Sequence, residues 1–272
     1  ARVRLQAAPA AQYAPAHGDE RDDERSARGK ADHEFHAAIV APADRAREVR
    51  SPPARRTEPS VTRPAPETAR RDARFDRRGW LAGARRVRSP NADARPERAE
   101  VTLVVVHGIS LPPGRFGGDA ILRLFTNRLD PGAHPYFRAI AALRVSAHFL
   151  IRRDGTLLQF VACGDRAWHA GVSRWRGRER CNDFSIGIEL EGTDDRPYTA
   201  RQYARLAVLV RRLAARWPIR EVAGHSDVAP GRKSDPGEAF DWARLARLLG
   251  PASGVRVAAL GVRGERPPAH GL

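Results

Sequence analysis

Four short stretches of this sequence carry side chains that could do chemistry together. His107 closes an apolar run at residues 101–107 (VTLVVVH) and is followed by Gly108. Residues 224–227 (GHSD) form a small-residue loop bearing a second histidine, His225. Residues 233–237 (KSDPG) form a loop stiffened by Pro and Gly, with Lys233 and Asp235 in it. Glu189 stands on the polar side of an otherwise apolar strand pattern. His107, His225 and Asp235 together offer two nitrogens and one oxygen. That set suits a catalytic zinc whose fourth position stays open for water. Zinc lowers the pKa of such a water from about 15.7 to about 7. Glu189 could then accept a proton, and the Lys233 ammonium could face a developing oxyanion.

Spacing alone leaves alternatives open. The three ligands spread over 129 positions and form no HExxH motif. His148 and His169 have the same ligand chemistry. Asp227 shares a loop with His225 and could replace Asp235, and Glu191 shares a strand face with Glu189. A histidine at a strand end is also commonly a hydrogen-bonded polar residue with no ligand. Lys233 stands out because only it and Lys30 are lysines, against 46 arginines. A compact ammonium and a planar guanidinium are not interchangeable.

These residues need elements to position them. The run 101–107 reads as a buried central strand that exits into a loop at His107. Residues 147–152 and 157–161, joined by Asp154-Gly155, read as a hairpin. Residues 185–191 alternate, with Ile186, Ile188 and Leu190 on one side and Ser185, Gly187, Glu189 and Glu191 on the other. Thr199 and Gln202 form a capping box for a helix whose face carries Tyr203, Leu206, Val210, Leu213 and Trp217, ended by Pro218. Residues 121–129 and 241–249 are further helix candidates. The expected fold class is α/β, a single domain at residues 77–250 with a central mixed β-sheet flanked by helices. Residues 1–76 are rich in Ala, Pro and Arg with little to bury, and are expected to be a disordered extension. Residues 251–272 are expected to be a loose tail.

Composition narrows the function classes. Residues 77–250 hold 30 basic and 18 acidic side chains, so +12 of the net charge of +16 lies in the candidate domain. A basic surface attracts polyanions or small substrates rich in carboxylates. No interleaved basic and aromatic motif supports nucleic-acid binding. No run of about 18 apolar residues is present, so no membrane-spanning helix is expected. The first thirty residues lack an apolar run, so no leader peptide is expected either. Cys163 and Cys181 make no CxxC pair and read as free thiols, which fits a reducing compartment.

Residues 79 to about 249 closely resemble the bacterial AmpD family, the 1,6-anhydro-N-acetylmuramyl-L-alanine amidases of cell-wall recycling. The motifs are GWLAGARRVRSPNADARP at 79–96, VVVHGISLPPGRFGG at 104–118 and HPYF at 134–137. They continue with LRVSAHFLIRRDG at 143–155, RAWHAGVS at 166–173 and GRERCNDFSIGIELEGTD at 177–194. GHSDVAPGRKSDPG at 224–237 and FDWARL at 240–245 complete them. Long motifs in the right order make the likeness specific.

The resemblance implies an amidase fold of the peptidoglycan-recognition-protein type. It places the zinc ligands on His107, His225 and Asp235, with one zinc per chain, and the catalytic pair on Glu189 and Lys233. It places substrate-binding roles on Arg144, Arg180 and Trp168, and leaves His169 as a structural or cleft residue. It implies a small anhydro-muropeptide substrate, cut between the lactyl group and L-alanine. One departure matters: the family usually has Asn after the first zinc-binding His, and here Gly108 stands there. The expected protein is a cytoplasmic monomer with no nucleic-acid or membrane partner. Competing readings are an amidase of intact peptidoglycan and a non-catalytic muropeptide-binding module. The latter type loses a zinc ligand, and this chain retains all three.

Overall fold

A computed structural model of the chain describes residues 74–258. The expectations for residues 1–73 and 259–272 lie outside the described residues. In chain order the strands are β1 (Arg85–Arg86), β2 (Ala92–Ala94), β3 (Leu103–Ile109), β4 (Phe149–Ile151), β5 (Leu157–Gln159), β6 (Asp165–Ala167), β7 (Arg174–Trp175), β8 (Arg178–Glu179), β9 (Ser185–Glu191), β10 (Glu221–Gly224) and β11 (Arg256–Val257). The helices are α1 (Ala120–Phe125), α2 (Phe137–Ile140), α3 (Ala200–Ala214), α4 (His225–Val228) and α5 (Trp242–Leu249). Among the described residues, seven strands form one sheet in the order β1-β5-β4-β9-β3-β10-β11. Every pairing in it is parallel except the β4–β5 hairpin, so the sheet is mixed, as expected. Two ribbons, β2–β6 and β7–β8, stand apart from it.

The two longest strands, β3 and β9, are buried along their whole length on both faces. Continuous β-branched and apolar residues suit such central parallel strands. One face carries Val104, Val106, Ile186, Ile188 and Leu190 into a core shared with Leu206 and Leu213 of α3 and Leu245 of α5. On the other face Ile109, Leu150 and Leu158 pack with Leu124 of α1 and with Phe137 and Ile140 of α2. Helices therefore cover both faces. Burying each such side chain stabilises the fold by about 1.5–3 kcal/mol. Thr199 Oγ1 accepts from Gln202 N–H, and Gln202 Oε1 accepts from Thr199 N–H, closing the capping box that starts α3. Gln202 Nε2 then donates to the Ile151 and Glu191 carbonyls and ties α3 to the sheet.

Arg95 joins segments that no strand pairing links. Its guanidinium is mostly buried and donates to the carbonyls of Cys163, Asn182, Asp183 and Ser185 at 2.9–3.3 Å. Cys163 and Cys181 are free and buried. Burial pushes the Cys181 thiol up to about 11 and Cys163 further still, so both stay protonated.

The structure corrects several sequence expectations. The strand read at 101–107 runs instead from Leu103 to Ile109, because β9 pairs with it for two residues beyond His107. His107 is therefore inside the strand and not at its exit. The helix expected over 121–129 stops at Phe125, and Asn127 takes a left-handed φ of 57°. At the C-terminal side, β11 adds an edge strand beside β10, so ordered structure runs past the expected boundary at 250. At the N-terminal side, Phe75 lies edge-on to Trp217 with ring centroids 4.8 Å apart. Asp76 Oδ1 accepts from the N–H groups of Arg78, Gly79 and Trp80.

The folded unit thus includes residues 74–76, on the far side of the boundary expected at 77. Phe75→Ala in the full chain is expected to lower the unfolding free energy by about 1–3 kcal/mol, measured by chemical denaturation. A change under about 0.5 kcal/mol, the size of a silent surface substitution, would return the boundary to 77.

Candidate active site and metal centre

Parallel register decides which side chains meet. Along β3 and β9, Leu103 pairs with Ser185, Val105 with Gly187, and His107 with Glu189. Along β3 and β10, Val106 pairs with Gly224, so His225, the next residue, stands level with His107. His107, Glu189 and His225 lie toward the C-terminal ends of parallel strands, where α/β sheets present their ligand sites. Asp235 arrives from the loop after α4, and its carbonyl accepts from Ser226 N–H at 2.9 Å.

The Nδ1 atoms of His107 and His225 lie 2.9 Å apart. Asp235 Oδ2 lies 3.3 Å from the first and 3.2 Å from the second. All three residues are almost completely buried, and one ligand atom from each falls within 4.8 Å of the others. The bonds on the far side of each ring fix its tautomer. His225 Nε2 faces the Ala170 carbonyl at 3.2 Å. A carbonyl can only accept, so the proton is on Nε2 and Nδ1 presents a lone pair. A longer chain orients His107. Ser185 Oγ donates to the Cys181 carbonyl at 2.5 Å, and so accepts from His169 Nε2–H at 3.2 Å. His169 Nδ1 is then the acceptor for His107 Nε2–H at 3.0 Å. His107 Nδ1 is left presenting its lone pair too.

Two lone pairs and a carboxylate oxygen aimed at one point repel one another unless a cation lies between them. The donor set N, N, O fits a divalent metal ion with an open coordination position. Burial acts in the same direction. It holds His169 well below the ordinary histidine range, and pushes His225 down to about 3 against the pull of Asp235. The contact between His225 and Asp235 is therefore not an ion pair of charged imidazole and carboxylate.

Glu189 is buried beside this cluster, and its Oε2 has no hydrogen-bond partner among the described residues. Burial raises its pKa well above the carboxylate range, Asp235 raises it further, and Lys233 opposes both. A carboxyl group tuned upward in this way is suited to passing protons near neutral pH. Lys233, Glu189, Trp168, His169 and His225 line one cleft. Trp168 is held there by its backbone, which exchanges bonds with Ser146: N–H to Oγ at 3.1 Å, and C=O from N–H at 3.0 Å.

The alternatives left by the sequence have other partners. Asp227 Oδ2 accepts from Gly224 N–H at 2.7 Å, at the start of α4. Glu191 accepts from the N–H groups of Gly117 and Arg153, pinning the loop after β3. His148 Nδ1 accepts from Gly187 N–H, and its Nε2–H faces the Asp165 carbonyl. Arg144 and Arg180 are exposed and do not line the cleft. Arg144 donates to the Ala142 and Leu143 carbonyls, and Arg180 pairs with Asp183 at 3.1 Å. Gly108 N–H approaches Asp235 Oδ2 at 3.4 Å. A Cβ at 108 would come within 2.5 Å of Tyr198 Oη, which donates to the Pro236 carbonyl beside Asp235. The sequence puts Ser185 and Gly187 on the strand face of Glu189 but shows no role for them there. The readable signal was a glycine inside a strand, which marks a close approach by another group.

Residues 97–238 match the N-acetylmuramoyl-L-alanine amidase family Amidase_2. The chain is 61% identical over 173 residues to the 1,6-anhydro-N-acetylmuramyl-L-alanine amidase AmpD of Escherichia coli (strain K12), covering 63% of this chain and 94% of that one. It is 59% identical over 177 residues to AmpD of Citrobacter freundii, covering 64% and 95%. The crystal structure of a selenomethionine AmpD derivative superposes with a TM-score of 0.62 at 58% identity, covering 65% of this chain and 99% of that one. No helix among the described residues is long and apolar enough to cross a membrane. With that identity laid over a shared fold, the chain belongs to the N-acetylmuramoyl-L-alanine amidase family and is a hydrolase of that class.

Proposed function

We propose that this chain cleaves the amide between the lactyl group of 1,6-anhydro-N-acetylmuramic acid and the L-alanine of the stem peptide, as a step of peptidoglycan recycling. The supporting observation is the convergence of His107, His225 and Asp235 beside the buried Glu189, with Lys233 on the same cleft. The names of the AmpD relatives from Escherichia coli and Citrobacter freundii support the anhydro-sugar substrate. We take the protein to work in the cytoplasm, as a monomer, on a small soluble muropeptide.

His107 Nδ1, His225 Nδ1 and one Asp235 oxygen would hold a single zinc ion. Zinc in such a set supplies Lewis acidity and brings the ionisation of water close to neutral pH. Glu189 takes the proton of the attacking water on its carboxylate and returns it to the leaving amine of L-alanine. Its burial keeps that proton from escaping to solvent between the two transfers. Lys233 Nζ stabilises the oxyanion that develops on the lactyl carbonyl, and removing such a donor costs about a hundredfold or more in rate. Trp168 gives the sugar a flat wall. Arg144 and Arg180, exposed outside the cleft lining, meet the stem-peptide carboxylates as bidentate forks. The basic surface of the domain favours the approach of this anionic substrate.

Purified protein incubated with anhydro-muropeptide is expected to release the stem peptide, detected by mass spectrometry, and a chelator is expected to stop the release. Equal rates on whole sacculi would replace the recycling role with cleavage of intact wall. Lys233→Ala is expected to keep its metal while losing about a hundredfold or more in turnover. Wild-type turnover in that variant would remove Lys233 from the reaction. Asp235→Ala is expected to purify with little zinc by elemental analysis. Retention of one ion per chain would give the ligand role to another carboxylate, with Asp227 the first to test.

A further inference from the structure

The mechanism gives no role to the dipeptide His169-Ala170, yet it contacts both imidazoles of the metal centre. Asn182 Oδ1 clamps it by accepting from the N–H groups of His169 and Ala170 at 3.1 and 2.8 Å. The Ala170 carbonyl receives His225 Nε2–H. The His169 ring receives His107 Nε2–H through Nδ1, with the two rings edge to face and 5.1 Å apart. One face of β9 is shaped to seat that ring. A Cβ at Gly187 would lie 2.4 Å from His169 Cγ, so only glycine leaves room for it. Ser185, two residues earlier on the same face, accepts from His169 Nε2–H and donates its O–H to the Cys181 carbonyl.

We infer that His169 is a positioning residue for the metal centre: its Nδ1 holds His107 in the tautomer and orientation that turn Nδ1 of His107 toward the ion. The direction of every bond in the chain follows from its end, a backbone carbonyl that cannot donate. Cys181 O fixes Ser185, Ser185 fixes His169, and His169 fixes His107. Ligating histidines generally depend on such an outer acceptor, and its loss costs about 10–100-fold in metal affinity. The acceptor here is a neutral imidazole, where a carboxylate or a backbone carbonyl is more usual. It orients His107 without adding negative charge to the buried site.

This inference rests on His107 being a zinc ligand, and the experiment separates the two. Zinc affinity of the full chain is read by competition with a chromophoric chelator, and folding by thermal denaturation of the metal-free protein. His169→Phe fills the seat over Gly187 but offers no acceptor. It is expected to melt like the wild type without metal and to bind zinc about 10–100-fold more weakly. His169→Asn keeps an acceptor and is expected to recover part of the loss. Wild-type zinc affinity in His169→Phe overturns the inference while leaving the metal centre intact. Equal losses in both variants, with metal-free melting lowered equally, also overturn it and make His169 a packing residue. A wild-type chain that holds no zinc overturns the metal centre and this inference together. Should His169→Phe fail to fold, Ser185→Ala decides from the far end of the chain. Weakened zinc binding supports the relay, and unchanged binding overturns it.

Discussion

Parallel pairing of β9, β3 and β10 is the constraint on which the site depends. Hydrogen bonds along this ladder fix which residues stand level, and in a sheet buried on both faces a slip of one residue would turn every side chain to the opposite face. In the observed register His107 faces the same way as its cross-strand neighbour Glu189, and His225 leaves β10 at the same height. Three residues far apart in the chain reach one point because the strands carrying them cannot slide. The two apolar cores, one on each side of the sheet, hold that register in place.

Burial then sets the charge of each group. Removing water from this end of the sheet keeps the His169 and His225 imidazoles neutral and raises the pKa of the Glu189 carboxyl. The same burial makes unsatisfied polar atoms costly, and this explains how thoroughly the neighbouring groups are bonded. Asp227 and Glu191, the alternatives that the sequence left open, are each held by backbone N–H groups. What distinguishes Glu189 and Asp235 from these two carboxylates is what their oxygens face.

Much of the scaffold was legible in the sequence. The alternation of residues 185–191, the capping box at Thr199 and Gln202, and the Asp154-Gly155 hairpin each depend on neighbours a few positions away, and each was found where expected. The site was less legible from spacing. His107 and Asp235 meet only through strand register and loop placement, which are long-range properties, and the family motifs pointed to them where periodicity could not. Errors came at the ends of elements. Val101 and Thr102 continue the pattern of β3, so the sequence places that strand two residues early; the register with β9 begins at Leu103, opposite Ser185. β1 and β11 have two residues each, too few to show any period. Phe75 reads as part of the N-terminal extension because a lone aromatic among arginines gives no sign of the Trp217 it packs against.

Arg95 shows a different use of positive charge. Its planar fork reaches four backbone carbonyls, bracing the segment around Cys163 against the one that leads into and begins β9. A lysine could not brace them in the same way, since its donors radiate from one nitrogen whereas the guanidinium spreads five over three. The chain's abundance of arginine therefore has at least one mechanical use inside the protein. A drift from arginine to lysine, harmless on most of the surface, would at this position loosen the entrance to the strand that carries Glu189.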